Sequence, residues 1–233
     1  MDEVRSIAVV IPARDEEASI ARAVASVQVA AAGVGDRVRV DTIVVANGCS
    51  DDTAGAARRA GAHVLVHPRP GVGAARAAGA DWACLRSTDP RSLWLASTDA
   101  DSVVPRDWLR AQLSHAAAGV DLVLGTITMA ARDLVVHDHW RRAYEVRLAG
   151  GSHGHVHGAN LGIRGTTYTV AGGFRAMAVH EDVDLVRRAI DTGAVAAWVD
   201  DLAVTTSARH RSRVDGGVAS DLAASWAAGC ASA

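Results

Sequence analysis

Compact apolar runs alternate along the chain with longer stretches whose apolar residues recur at helical spacing. The first run, Ile7-Ala8-Val9-Val10-Ile11, is rich in β-branched residues and reads as a buried strand that Pro12 stops. A helix is predicted over about residues 18–32, with Ile20, Val24 and Val27 on one face. Glu16 and Glu17 suit its first turn, where carboxylates meet the positive end of the helix dipole. Val38 to Ala46 predicts a second strand. Asn47 to Thr53 turns it into a helix that Ser50 or Asp51 can cap and Gly61 ends. His63 to His67 predicts a third strand, and a helical segment runs from Arg69 to about Leu85. In Leu93-Trp94-Leu95-Ala96-Ser97-Thr98-Asp99-Ala100-Asp101-Ser102 a short apolar run reads as a buried central strand leading into two carboxylates one residue apart.

Beyond Pro105 the pattern predicts a helix to about Ala118, a strand over Leu122 to Met129 and a helix over Asp133 to Ala149. Gly150 to Gly158 holds too much glycine for the interior of a regular element and reads as a loop. Asn160 to Arg164 predicts a strand, Tyr168 to Ala171 a helical turn ending at Gly172-Gly173, Glu181 to Thr192 an amphipathic helix, and Val195 to Val199 the last strand. A basic stretch, Arg209-His210-Arg211-Ser212-Arg213, precedes an alanine-rich tail. Strands alternating with helices every 20–30 residues or so imply parallel βαβ units with right-handed crossovers. The expected fold is one α/β domain spanning residues 1–233, with a mostly parallel central sheet flanked by helices and no linker dividing it.

Composition narrows the field. Hydrophobic residues make up 49% of 233, enough for a sizeable core, and the net charge of −2 provides no field for nucleic acid. Cys49, Cys84 and Cys230 show neither metal-ligand spacing nor an even-numbered framework, and read as reduced thiols of a cytoplasmic protein. The chain enters its first strand without signal-peptide architecture, and no apolar stretch approaches the roughly 20 residues of a membrane span.

The chemistry concentrates where the central strand ends. In an open parallel sheet, ligands sit outside the carboxyl ends of the strands, which is where Asp99 and Asp101 fall. Carboxylate oxygens are hard ligands that suit Mg²⁺ or Mn²⁺, and such ions commonly hold substrate phosphates. A solvated turn is the plain alternative for Asp-x-Asp, as a helix N-terminus is for Glu181-Asp182. Gly71-Val72-Gly73 is a poor dinucleotide cradle, because it lies in the third βα unit and the first βα turn carries no such glycines. Arg76 beyond it faces either a diphosphate or solvent. His137, His139, His153, His155 and His157 raise a metal hydrolase as a rival, but no histidine cluster falls at a predicted strand end among acids.

Taken together, the motifs resemble those of a family 2 glycosyltransferase of the GT-A fold, over roughly residues 6 to 207. Val9-Val10-Ile11-Pro12-Ala13-Arg14-Asp15-Glu16 resembles that family's opening strand and base-binding turn, and Val44 to Thr53 its second nucleotide-binding turn. Gly71 to Gly79 resembles its glycine-and-arginine helix start, Thr98-Asp99-Ala100-Asp101-Ser102 its metal-binding triplet, and His157 to Arg164 with Gly172-Gly173-Phe174 its acceptor-side segment. His180-Glu181-Asp182 is similar to the Glu-Asp motif that supplies the base. There are departures: Ala46 replaces an acid that contacts the nucleobase in many members, Ala77 replaces an asparagine, and no Gln-x-x-Arg-Trp motif of processive synthases is present.

The resemblance implies metal-dependent, non-processive sugar transfer from a nucleotide-sugar, UDP- or GDP-linked, to the hydroxyl of a small or lipid-linked acceptor. Inversion is the family expectation, with Asp182 as base and Glu181 beside it. Donor contacts would come from Pro12, Ala13, Arg14, Glu16, Asn47, Asp51, Arg76, Asp99 and Ala100, and acceptor contacts from His157, Gly158, Ala159 and Asn160. Asp101 would ligate Mg²⁺ or Mn²⁺, with Asp99 beside it and His210 completing the shell. Residues 1–104 would form the donor part, 105–207 the acceptor part and 208–233 a lid and tail. A homodimer is compatible with this reading. Alternatives are a retaining transferase of the glucosyl-phosphoglycerate-synthase type and a nucleotide-sugar-binding protein without catalysis.

Overall fold

The computed structural model describes residues 3–130, 133, 138–148 and 154–208, with no side-chain placement for five residues within 139–148. His137, His153, His210 and the basic stretch lie outside these residues, as does the side chain of His139. The elements in chain order are β1 (Ser6–Ala13), α1 (Ile20–Ala31), β2 (Arg39–Asn47), α2 (Thr53–Arg59), β3 (His63–His67), α3 (Val72–Arg86) and β4 (Leu93–Ser97). They continue as α4 (Trp108–Ala117), β5 (Leu122–Met129), α5 (Asp138–Leu148), β6 (Leu161–Arg164), α6 (Gly165–Val170), α7 (Glu181–Asp191) and β7 (Ala196–Thr206).

The seven strands form one sheet in the order β3-β2-β1-β4-β6-β5-β7. Pairing is parallel except at β6, which runs antiparallel to both β4 and β5. The chain winds outward from β1 to β3, then α3 carries it back to β4 on the other side of β1. The strand order therefore reverses between β1 and β4, and in an open sheet of this kind the ligand crevice lies beyond their carboxyl ends, at Ala13 and Ser97. One core cluster packs α1 and α4 on one face of the sheet, with Trp94 and Trp108 wholly buried in it. A second packs α3 and α7 on the other face. Alanine and glycine dominate the buried side of α3, which lets that helix lie close to β1 and β2.

Several expected boundaries move for identifiable reasons. β1 runs through Pro12 to Ala13. The Val10 carbonyl faces β4 and accepts from the Thr98 N–H, and Pro12, of the same parity, falls where β4 no longer pairs. Its missing N–H therefore costs no ladder bond. α1 starts at Ile20, so Glu16 and Glu17 precede it and do not lie in its first turn. The cap position of α2 is Asp52, not Ser50 or Asp51. α6 begins earlier than expected, at Gly165. Of the helix expected over Asp133 to Ala149, the residues Asp138–Leu148 are described as α5, Asp133 is helical, and the others lie outside the described residues.

β7 continues to Thr206 because Asp200 and Asp201 lie in an irregularity and do not end the strand. The β5–β7 register slips between Gly125 and Ile127, where the ladder interrupts. Asn160 fills the gap. Its Nδ2 donates to the Thr126 carbonyl at 2.8 Å and the Leu202 carbonyl at 2.5 Å, and its Oδ1 accepts from Trp108 Nε1 at 2.8 Å. A side chain at Gly125 would overlap this amide. Asn160→Ala strands three buried polar partners at once, and the expected loss is roughly 2–4 kcal/mol. Urea denaturation of wild type and variant measures it; a loss below about 1 kcal/mol contradicts the assignment.

Candidate functional site

Two βα turns wall one side of the crevice and are sewn to each other. Asp15 Oδ1 accepts from the Ser50 N–H at 2.6 Å and from its hydroxyl at 3.0 Å, and Glu16 N–H donates to Thr53 Oγ1 at 2.7 Å. Glu17 N–H donates to Asp51 Oδ2 at 3.1 Å, while Asp52 N–H donates to Glu17 Oε2 at 3.2 Å. Asp51 Oδ1 also accepts from the Thr53 N–H and hydroxyl. Slight burial pushes the Asp51 carboxyl up, but the hydrogen bonds from Thr53 and Glu17 outweigh it and hold it below the usual range. Asn47 is buried and ties three turns together: its Nδ2 donates to the Ala13 carbonyl at 3.0 Å and its Oδ1 accepts from Gly71 N–H at 3.2 Å. Of the residues expected to meet a donor here, Arg14 is exposed, whereas Pro12, Ala13, Glu16 and Asn47 are buried.

Asp15 did not figure among the expected residues. Its φ of 52° marks the turn as backbone that L side chains rarely adopt. Among the described residues, Asp15, Cys49 and Asp51 bring their ligand atoms within 4.8 Å of one another. Their polar atoms already serve the two turns, since Cys49 Sγ donates to the Ala13 carbonyl at 3.4 Å. The acids at the end of β4 are arranged differently.

There the turn Asp99-Ala100-Asp101 points Ala100 into the core, where it is 3% exposed, and leaves both acids partly exposed. Ala100 can thus offer only backbone atoms to a ligand. Ser102 N–H closes the turn on the Asp99 carbonyl at 3.1 Å, and Ser102 Oγ donates to Thr206 Oγ1 at 3.0 Å. Val103 exchanges both backbone hydrogen bonds with Thr205, which fastens the far edge strand beside Asp101.

Arg76 does not face solvent. It is 4% exposed, and three of its nitrogens are engaged. Nε donates to Ser97 Oγ at 3.1 Å, Nη2 to Asp99 Oδ1 at 2.6 Å and Nη1 to Glu181 Oε1. The sequence permits this convergence through two glycines. At Gly73 a Cβ would strike the Arg175 carbonyl, so only glycine lets the segment before α7 lie on α3 and bring Glu181 to Arg76. At Gly158 a Cβ would strike the guanidinium itself. Gly158 N–H then donates to Asp182 Oδ2 at 2.7 Å, and Val183 N–H to Oδ1 at 2.8 Å. Asp182 is thereby held in one orientation, partly exposed, beside buried Glu181.

Burial works against the charge on Arg76, but Asp99, Glu181 and Asp182 outweigh it and raise its pKa. Burial pushes the Glu181 carboxyl up by more than the Arg76 guanidinium offsets, and the Asp182 carboxylate adds a smaller push in the same direction. His180, just before, has a φ of 61°, a second non-glycine residue in the left-handed region beside the crevice. Asp184, one turn into α7, is held below the usual range by hydrogen bonds and charge from Arg188, with Arg175 and Arg187 contributing. Arg188 also donates to the Ala171 and Gly173 carbonyls, which fastens the Gly172-Gly173 turn to α7.

The acceptor-side segment divides. Ala159 packs with Ile127, Met129 and Tyr144, and Asn160 is consumed by the sheet irregularity, so neither presents a side chain to the crevice. Tyr144 OH accepts from the Ile127 N–H at 3.2 Å and bonds His157 Nε2 at 3.0 Å. The rings of His155 and His157 stack at 5.6 Å, and His155 stacks on Tyr144 at 4.5 Å. These rings form an aromatic packing unit, and among the described residues no histidine groups with acids as a set of metal ligands.

A doubly wound sheet with acids at its switch point and a second acid pair at a helix start defines the GT-A class of α/β domain. The chain belongs to glycosyl transferase family 2, whose model matches residues 8–178. An uncharacterized glycosyltransferase of Mycobacterium tuberculosis is 36% identical over 120 residues, 52% of this chain and 48% of that protein. The chain thus spans about half the length of that curated relative. The mannosyltransferase of Pyrobaculum calidifontis, solved with GDP-Man and Mn²⁺, superposes with a TM-score of 0.65 at 19% identity, over 90% of this chain and 59% of that one. Glucosyl-3-phosphoglycerate synthase of M. tuberculosis, solved with Mn²⁺, UDP and glucosyl-3-phosphoglycerate, gives 0.57 at 21% identity, over 95% and 76%. These likenesses establish the fold. No described helix is long and apolar enough to cross a membrane.

The raised pKa of Glu181 has a thermodynamic consequence. Its carboxyl keeps a proton to higher pH in the folded protein than in the unfolded chain, so this group's contribution to stability is full at low pH. The contribution is lost as pH rises through the raised value. Urea melts between about pH 4 and pH 7 will show stability falling less, or rising more, with pH in Glu181→Gln than in wild type. Parallel pH profiles would contradict the assignment.

Proposed function

We propose that this chain transfers a sugar from a nucleotide-sugar donor to an acceptor hydroxyl, with a divalent cation at the end of β4. The observation that carries this reading is the convergence on one buried guanidinium of Asp99, from the Asp-x-Asp turn, and Glu181, the neighbour of Asp182. Acids suited to a donor and acids suited to an acceptor thereby flank one crevice at the switch point of the sheet.

The donor set fits Mg²⁺ or Mn²⁺. Asp99 and Asp101 are hard oxygen ligands, both partly exposed, and Asp99 already satisfies a cationic partner. Asp101 is the proposed direct ligand, with Asp99 reaching the ribose or the ion through water. A bound divalent ion would supply Lewis-acid stabilisation of the charge that develops on the departing diphosphate. Two sewn turns, with Asn47 fixing their separation, would hold the nucleoside. The two related structures contain GDP-Man and UDP, and those donor classes are the ones proposed.

Asp182 is the proposed base. Two backbone N–H groups aim its carboxylate, and its partial exposure leaves it open to an acceptor hydroxyl whose proton it would take as the oxygen attacks the anomeric carbon. Attack from the face opposite the leaving diphosphate inverts the configuration. Glu181, tied to Arg76, would fix the start of α7 beneath it. Residues 1–104 would act as the donor part and 105–207 as the acceptor part of a cytoplasmic enzyme. His210 is proposed to reach the same ion from the segment 208–233. What supports it is the position of Thr206, four residues earlier, at 3.0 Å from Ser102.

Calorimetry with UDP and GDP, with and without Mn²⁺, tests the donor side. Wild type is expected to bind one of the two only with the cation, and Asp101→Asn to weaken that binding at least about tenfold, the loss of one charge-assisted contact. Asp182→Asn is expected to keep donor binding and lose transfer, and an inverted anomer in the product's NMR spectrum marks the mechanism. Equal diphosphate affinity with and without cation in wild type would overturn the metal role. Full turnover of Asp182→Asn would overturn the base role, as a retained anomer would.

A further inference from the structure

Arg76 is a buried cation, 4% exposed, and its partners differ in their freedom to leave it. Glu181 is 3% exposed and packed under α7, whereas the Asp99 side chain is 37% exposed at the mouth. The guanidinium itself is confined. Ser97 Oγ holds its Nε, and Gly158 lies against its face so closely that a Cβ would not fit. Three carboxylates, those of Asp99, Glu181 and Asp182, act on this one guanidinium, and Asp101 stands two residues beyond Asp99 in the same turn. One of them, Asp99, is therefore claimed from two sides: by a fixed monovalent cation from within, and by any divalent cation arriving from the mouth.

We infer that Arg76 and the divalent cation compete for the carboxylate of Asp99, and that a nucleoside diphosphate relieves the competition. This rests on the reading of Asp99 and Asp101 as the cation's seat. A divalent ion placed against Asp99 stands close to the guanidinium, and two positive charges in a partly buried site repel strongly. It also weakens the 2.6 Å bond by which Asp99 compensates a buried charge. The cation alone should consequently bind poorly. A diphosphate brings negative oxygens that can neutralise the guanidinium and the ion together, so cation and nucleotide should bind in concert, with Arg76 as the residue that links them.

Removing Arg76 therefore has opposite effects on two measurable quantities. Calorimetric titration with Mn²⁺ alone, then with Mn²⁺ in the presence of UDP or GDP, reads both. Arg76→Gln is expected to bind Mn²⁺ alone roughly tenfold more tightly than wild type, the effect of deleting one like charge at short range. The same variant should lose most of the enhancement that nucleotide confers, while Arg76→Lys, which restores the charge, returns weak binding of Mn²⁺ alone. Glu181→Gln supplies a shift of opposite sign. It leaves Asp99 as the nearest ionised partner of the guanidinium, strengthens that tie and should weaken binding of Mn²⁺ alone. A cooperative melt with unchanged far-UV circular dichroism qualifies each variant.

Arg76→Gln binding Mn²⁺ no more tightly than wild type overturns the inference. Should that variant fail to fold, Glu181→Gln decides, and unchanged or tighter Mn²⁺ binding in it overturns the inference equally. If wild type binds UDP or GDP with Mn²⁺ and the variants show no such shifts, the donor reading stands and only the competition falls. If wild type binds no Mn²⁺ even with nucleotide, the donor reading falls and takes the competition with it.

Discussion

A guanidinium buried to 4% exposure is the constraint on which the rest of this crevice depends. Taking such a charge out of water is expensive, and the cost is recovered only where geometry gives each N–H a partner. Arg76 finds Ser97, Asp99 and Glu181, which come from the end of β4, the turn beyond it and the first residue of α7. Glu181 is far in sequence from Ser97 and Asp99, so one side chain ties the start of α7 to the end of β4. Removing one partner of a buried pair costs roughly 3–5 kcal/mol, because the other charge stays buried. Neither acid can drift without that penalty.

The surrounding staples follow the same logic at lower charge. Asn47 joins the first and third βα turns, and Asn160 joins β5, β7 and α4. An amide suits such positions because it donates and accepts from one planar group, so it can serve carbonyls and N–H groups that interrupted ladders leave behind. Glycine cooperates by absence. Gly73 and Gly158 remove the carbons that would separate α3 from α7 and the acceptor-side loop from the guanidinium. Gly73 is thus explained by the approach of one backbone to another, and Gly79 by that of α3 to the Val10 and Val45 side chains.

What could be read in the sequence divides along the same line. The spans of β3 and β5 are those expected, because short apolar runs between polar breaks specify strands directly. The position of Asp99 and Asp101 beyond β4 was readable too, since strand direction and switch point follow from alternation of elements. Long-range pairing was not. Nothing local in Gly73-Ala74-Ala75-Arg76 announces a partner at Glu181, 105 residues later. Asn160 looked like an acceptor contact because its motif could not reveal the slip between β5 and β7 that consumes its amide. The reach of β7 was hidden by Asp200-Asp201, which reads as a stop and is an exposed irregularity within a longer strand. Pro12 misled for a related reason, since the cost of proline depends on whether a neighbour needs its N–H, which is a property of the sheet.

The extension of β7 matters beyond its length. A strand that ended at Val199 would leave the far edge of the sheet remote from the Asp-x-Asp turn. By continuing to Thr206, β7 returns to Val103 through a pair of backbone hydrogen bonds of 2.8 and 3.0 Å, and to Ser102 through a hydroxyl pair. Ala208 then packs against the small cluster of Ile127, Met129, Tyr144 and Ala159, next to the segment that carries His157 and Gly158. The end of the last strand is thus fastened on one side to the residue after Asp101 and on the other to the loop that touches Arg76 and Asp182. Backbone hydrogen bonds resist displacement along the strand, whereas packing of a single alanine resists little. A shift of the chain beyond Thr206 would accordingly be felt first at the acceptor-side cluster and only later at the acids of β4. The two sides of the crevice are joined twice, rigidly through a buried charge and more softly through the end of β7.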